Sequence, residues 1–468
     1  RRGTGRPRVH RYRAEHPDVH ATTRTHRDRH LPRPRIHQSL SGLGFRRSRV
    51  RVRHRRHLDR LLTLIRARGW TLLGPAFVAA IAYVDPGNIA ANVSAGSAFG
   101  FLLVWVIVAA NVMAGLVQYL SAKLGLVTGH TLPEAVRDRT GTTARISYWL
   151  QAELIAIATD VAEIIGGAIA LQLLFGLPLV LGGAITGLVS LLLLAIGDRN
   201  GQRVFERIIS GLLLIITIGF LAGLAVNPPP PGEVAAGLIP RFDGTESVLL
   251  ATAMLGATVM PHAVYLHSGL VRDRHGHPEP GSGRVRLLRA TRWDVALAML
   301  VAGAVNLALL LLAATNLRGR TGTDTIEGAH AAVADTLGPT VALFFAVGLL
   351  ASGLASTSVG AQAGAMIMQG LLRKSYPLLA RRLITLLPAL LVLASGIDPT
   401  RALVLSQVGL SFGIPFALIP LIRLTSDDTV MGADVNRRLT TVLGWLVTAL
   451  VTVLNIALIF LTLGTHPG

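Results

Sequence analysis

The feature that most restricts how this chain can fold is a succession of apolar stretches, each near the roughly 20 residues that cross a bilayer as a helix. Eleven are legible, near 71–97, 99–122, 146–174, 177–196, 205–226, 246–271, 293–315, 338–370, 382–396, 401–422 and 440–463. The 338–370 stretch is long enough to contain a break. Hydrocarbon offers no water to bare amides, so each span must satisfy its own backbone and the stretches read as helices. The expected fold is an all-α polytopic membrane protein with eleven transmembrane helices. A composition of 51% hydrophobic and 15% charged residues agrees.

The net charge of +20 is unevenly spread. Residues 1–68 hold 21 Arg against Glu15, Asp18, Asp28 and Asp59, which leaves the remaining 400 residues at only +3. Eight of the 15 His also lie in this tail, which shows neither strand nor helix periodicity. The chain has no initiator Met, and its first Met is Met113. The tail is therefore read as a disordered extension or as upstream sequence read in frame, with a start near Val50 or Val52. On this reading its charge is no sign of a nucleic-acid partner, and residues 69–468 form the membrane domain. The absence of Cys excludes disulfides and thiolate metal sites.

Basic residues in the body set its orientation. With the N-terminus in the cytoplasm, 20 of them fall in inside connections, and only Arg241, Arg318, Arg320 and Arg401 fall outside. The C-terminus is then extracellular. Five spans (about 71–226), five more (about 246–422) and one extra helix (about 440–463) give a 5+5 arrangement. An odd number of spans per block turns the two blocks upside down relative to each other, the inverted repeat of secondary transporters.

The first helix of each block is interrupted. Asp85-Pro86-Gly87-Asn88 breaks helix 1, and Ala257-Thr258-Val259-Met260-Pro261-His262 breaks helix 6. Pro86 and Pro261 remove amide donors, and Gly87 tolerates unusual dihedrals. Broken backbone at membrane depth persists only where it is buried in protein or lines a cavity. Matching breaks point to a transporter's substrate site. A lone Pro in a membrane helix is usually just a kink, but an acid at mid-membrane costs about 3 kcal/mol on insertion scales, so Asp85 argues for function. Asp85 and Asn88 offer hard oxygen ligands to a cation. Met260 reads first as core filling, and as a ligand it would favour softer transition metals.

The third span carries Glu153, Asp160 and Glu163, spaced by seven and three and so on one helical face. A proton relay and structural ion pairing, for example with Arg382, both fit that spacing. His262 has the pKa range of a proton or gating group, or is a hydrogen-bonded structural histidine. His267 reads as structural.

These motifs resemble the Nramp family of divalent metal transporters. The likeness rests on Asp85-Pro86-Gly87-Asn88 and on Met260-Pro261-His262-Ala263-Val264-Tyr265-Leu266-His267-Ser268. It extends to Ala158-Thr159-Asp160-Val161-Ala162-Glu163, Arg381-Arg382, Ser406-Gln407 and Ser411-Phe412-Gly413-Ile414-Pro415. Ala263 departs from the Asn many members carry, and Gly353–Gly360 is a looser match. The resemblance implies a LeuT-like fold and proton-coupled uptake of Mn²⁺ or Fe²⁺ across the cell membrane, without a prosthetic group and as a monomer. It also implies metal ligation by Asp85, Asn88, the Ala257 carbonyl and Met260, with help from Gln407 or water. Protons would pass by Asp85, Glu153, Asp160, Glu163, His262, Arg381 and Arg382.

Other classes fit less well. A zinc protease needs two His at i, i+4 with an adjacent Glu, whereas His262 and His267 are five apart. No nucleophile elbow or phosphate-binding loop is present. A sodium-coupled amino-acid transporter of the same architecture would keep a small uncharged residue at Asp85. A divalent-metal channel would share the ligands.

Overall fold

The computed structural model describes residues 74–200, 202–374 and 378–464. The basic tail lies outside them. Among the described residues the secondary structure is entirely helical.

Helix α1 (Pro75–Ile81) runs through a 3-10 turn, Ala82–Val84, to Asp85, whose extended backbone (φ −75°, ψ 167°) ends it. Helix α2 (Pro86–Phe99) starts afresh with Asp85 as its N-cap. Helix α3 (Val104–Thr128) stops at Gly129, held at φ 71° where L side chains strain. The short α4 (Leu132–Arg137) begins with a capping box between Thr131 and Glu134. Then come α5 (Thr142–Phe175), α6 (Leu179–Asn200), α7 (Gln202–Val226) and α8 (Pro231–Ala236). The second interrupted helix follows as α9 (Gly244–Thr258) and α10 (Pro261–His275). The remainder is α11 (Ser282–Asn316), α12 (Ile326–Leu337), α13 (Pro339–Leu372), α14 (Leu378–Ala394), α15 (Pro399–Thr425), α16 (Asp428–Met431) and α17 (Arg438–Gly464).

Among the described residues, eight helices are long and apolar enough to cross a membrane: α3, α5, α7, the α9–α10 pair, α11, α13, α15 and α17. Three shorter apolar helices, Pro75–Val84, Leu179–Leu193 and Ile384–Ala394, overlap the first, fourth and ninth stretches read from the sequence. The interrupted pair α9–α10 is central, with 94% of its apolar window buried, against 33% for α7 at the periphery.

Two expectations need revision. The 338–370 stretch contains no break: α13 is continuous from Pro339 to Leu372, with no proline inside it. Its glycines serve close packing instead, since a Cβ on Gly353 would meet the Gly167 amide of α5 at 3.1 Å. Helix α11 starts at Ser282 rather than near 293, so Arg284, Arg286, Arg289 and Arg292 ride on its first turns.

Close approaches set the site. Gly256 of α9 leaves no room for a Cβ against the Gln407 carbonyl of α15, and Gly166 of α5 leaves none against Pro86. The α1 end is closed by a latch. The N-cap Gly74 has no side chain, and Asp294 of α11 caps α1 instead, taking the amides of Gly74 and Ala76 at 3.0 Å each. Beside it Arg274 of α10 pairs with Glu206 of α7 at 2.7 Å.

Candidate functional site

The two breaks face each other. Asp85 caps α2, its Oδ1 accepting the Asn88 amide at 2.9 Å and its Oδ2 the Gly87 amide at 3.3 Å. Proline at the first position of α2 and a carboxylate before it make a strong helix start, which explains why the chain turns here. Asn88 then reaches both ways: Nδ2 donates to Asp85 Oδ1 at 2.7 Å and to the Ala257 carbonyl at 2.9 Å. The Ala257 carbonyl is available because α9 ends at Thr258, and Thr258 returns its hydroxyl to Asn88 Oδ1 at 3.3 Å.

Met260 is the N-cap of α10, with no side-chain cap and complete burial. Gln407 of α15 lies over Gly87, where a Cβ would collide with its amide, and its Nε2 is 3.4 Å from Asp85 Oδ2. Gln407 Oε1 has no hydrogen-bond partner among the described residues. Asp85, Asn88, Ala257, Met260 and Gln407 are all buried; hydrogen bonds join the first three and Gln407, and Met260 follows Ala257 by three residues at the second break. Together they offer a carboxylate, two amide oxygens, a backbone carbonyl and a thioether.

The carbonyls freed by the first break are not left bare. Asn306 of α11 donates to the Tyr83 carbonyl at 2.8 Å, and Ser352 of α13 donates to the Val84 carbonyl. Asn92 of α2 ties into this through Asn306 at 3.1 Å. Sequence reasoning missed Asn306 and Ser352. Their one signal is polarity inside otherwise apolar helices.

The acidic stripe on α5 divides. Glu163 is buried beside α13, where a Cβ on Gly360 would lie 3.2 Å from its Oε1. Asp160 is buried on the same helix, which packs against α10, the helix of His262. Glu153, ten residues before Glu163 and so about 15 Å along the helix, is half-buried and does not join them. His262 makes no hydrogen bond through either ring nitrogen among the described residues, whereas His267 Nδ1 meets Gln118 Oε1 at 2.6 Å. The helical backbone at Arg381 and Arg382 is described, but their side chains lie outside the described residues.

On the side away from the latch, a cavity of about 640 Å³ opens between the α2 C-terminus and the N-termini of α9 and α15. Val404 on its wall is one turn before Gln407, and Leu250 is two turns before Ala257. Glu246, Asp324 and Asp398 line it together with Arg401.

Comparisons with known proteins agree with this geometry. Residues 76–461 match the Nramp family model, described as natural resistance-associated macrophage protein-like. The chain is 70% identical over 393 residues to the divalent metal cation transporter MntH of Mycobacterium tuberculosis, covering 84% of this chain and 92% of that one. The Mycobacterium leprae MntH is 64% identical over the same length. Among solved structures, the Eremococcus coleocola manganese transporter superposes with a TM-score of 0.75 at 32% identity, over 85% of this chain and 89% of that one. The nucleobase-cation symporter Mhp1, at 17% identity and a TM-score of 0.54, shares the LeuT-like fold alone. The chain belongs to the Nramp family.

Proposed function

We propose that this protein imports divalent transition-metal ions, Mn²⁺ and Fe²⁺, through the cell membrane in symport with protons. One observation carries the reading: Asp85, Asn88 and the Ala257 carbonyl meet in a single buried knot where both helices are broken. The Asn88 amide hydrogens hold these oxygens together. An arriving cation replaces those hydrogens once the Asn88 amide turns its oxygen inward. The Met260 thioether and Gln407 oxygen complete the shell. Hard oxygens alone would suit Ca²⁺ or Mg²⁺, and the thioether shifts preference to softer ions. The relatives named MntH are divalent metal cation transporters, and the Eremococcus protein is a manganese transporter.

In this reading Asp85 exchanges a proton as metal binds. Asp160, Glu163 and Arg382 carry it inward, with His262 between the site and α5. The family resemblance also assigns Glu153 and Arg381 to this route. The N-terminus is cytoplasmic, the C-terminus extracellular, and the working unit a monomer without a prosthetic group.

The test is reconstitution in vesicles with a metal panel and an internal pH reporter. Mn²⁺ and Fe²⁺ uptake with metal-dependent acidification of the lumen is expected. Transport of amino acids with sodium, uptake of Ca²⁺ alone, or metal flux without proton movement would each overturn the proposal.

A further inference from the structure

A second cavity, of about 710 Å³, lies at the latch end of the bundle, between the C-terminal part of α3, the start of α11 and residues 433–440 leading into α17. Its walls carry Lys123, Arg289, Arg292 and Arg437 against one carboxylate, Asp434. That carboxylate is already engaged by Arg284 at 3.1 Å. Among the described residues no acidic side chain is within ion-pair distance of Arg289, Arg292 or Arg437. Arg289, Arg292 and Arg437 are exposed on this cavity beside the buried Lys123, a cluster of like charge that a bound anion relieves.

Two of the cations are held in place. Arg292 sits over the Tyr119 ring at 5.1 Å and donates to its hydroxyl at 3.3 Å. Lys123 is buried, its Nζ fixed by Asn436 Oδ1 at 2.9 Å. A fixed guanidinium fork beside an ammonium, with two further guanidinium groups on the cavity wall, suits the oxygens of a phosphate.

The surroundings say where the phosphate comes from. Trp293, next to Arg292, is 62% exposed, as an aromatic anchored at headgroup depth would be. Apolar side chains leave the cavity toward the bilayer centre. Leu116 continues to the exposed Val112 on α3, and the exposed Leu439 continues to Leu443 and Leu446 on α17. A soluble phosphate has no use for such tracks, whereas acyl chains do.

We propose that this cavity binds the phosphate headgroup of an anionic phospholipid, with its acyl chains along α3 and α17. Asn436 also donates to Thr425 Oγ1 at 2.8 Å, so the bound lipid braces the end of α15, the helix that carries Gln407.

The test is native mass spectrometry and thermal unfolding of the full chain, released from vesicles of phosphatidylcholine with or without phosphatidylglycerol. Retained phosphatidylglycerol and a raised melting temperature are expected. The double variant Arg289→Gln/Arg292→Gln should bind that lipid roughly tenfold or more weakly. Arg286→Gln/Arg423→Gln removes the same charge from outside the cavity and should leave binding unchanged. Equal loss in both double variants would reduce the effect to general surface charge and overturn the site. Equal stabilisation by millimolar inorganic phosphate in phosphatidylcholine alone would assign the cavity to a soluble ligand and overturn the lipid proposal. Melting of both double variants in phosphatidylcholine checks that each remains folded. None of these readouts depends on metal transport.

Discussion

The side-chain amide of Asn88 donates to the backbone carbonyl of Ala257 at 2.9 Å, across 169 residues of sequence. One amide thus closes the two interrupted helices onto each other. It can do so only because α9 stops where it does and leaves that carbonyl free. Replacing Asn88 by Ala should lower Mn²⁺ uptake by about 10- to 100-fold, the range seen when a metal's supporting donor is removed. Radiolabelled Mn²⁺ uptake in vesicles measures this, and near-normal uptake would remove Asn88 from the ligand set.

Met260 is the only proposed ligand whose chemistry separates Mn²⁺ from Ca²⁺. Met260→Ala should keep part of the Mn²⁺ transport while admitting Ca²⁺ more readily. Competition between the two ions in the same vesicles is the readout. Continued exclusion of Ca²⁺ would place selectivity elsewhere.

Asp160 lies on α5 rather than at the breaks, on a helix that packs against α10, which carries His262. Asp160→Asn should depress lumen acidification more than it depresses Mn²⁺ affinity. Proton flux and metal binding recorded on one preparation distinguish the two effects. An unchanged proton flux would exclude Asp160 from the route.

Asn306→Ala and Ser352→Ala each leave a buried carbonyl without its donor, at a cost of about 1–3 kcal/mol. Both variants should therefore melt at lower temperature in detergent. The loss should appear without any change in metal preference, because neither side chain is among the proposed ligands. Wild-type melting would mean that the freed carbonyls find other donors.

Glu134 joins α4 to α10. It accepts the Thr131 amide at 2.7 Å and pairs with Arg272 at 2.8 Å. Burial pushes its carboxyl upward, but the Thr131 hydrogen bonds and the Arg272 guanidinium outweigh it and hold it below the ordinary 4.5. The stabilisation is fully present above 4.5 and is lost as pH falls through the lowered value. Melting temperature should hold from neutral pH down to about 4.5 and then fall. Glu134→Gln should lower the plateau and flatten that fall, and an unaltered acid limb would show that another group governs it.

The site was legible where local chemistry announces itself. Pro86 and Pro261 each open a new helix at a break, and Asp85 is conspicuous because hydrocarbon makes it expensive. Asn306 and Ser352 were not legible as partners of the break. They serve carbonyls 223 and 268 residues away, which only the folded bundle brings near. The 338–370 stretch is long enough to contain a break, but length alone does not make one. Gly353 and Gly360 make room for α5 while the helix runs on. The early start of α11 was hidden by its arginines, since charge at the end of a span reads as a loop although a helix carries it equally well.

Among the described residues, no three His, Asp or Glu side chains converge on one point. A protein that stores a divalent ion surrounds it with several anionic groups and releases it slowly. At the proposed site Asp85 is the lone carboxylate among neutral donors, so a dication bound there would keep an excess positive charge in a low-dielectric interior. On the proposed function such an ion would dwell briefly. The sparseness of the proposed ligand set suits passage, where an ion held too well would end the traffic.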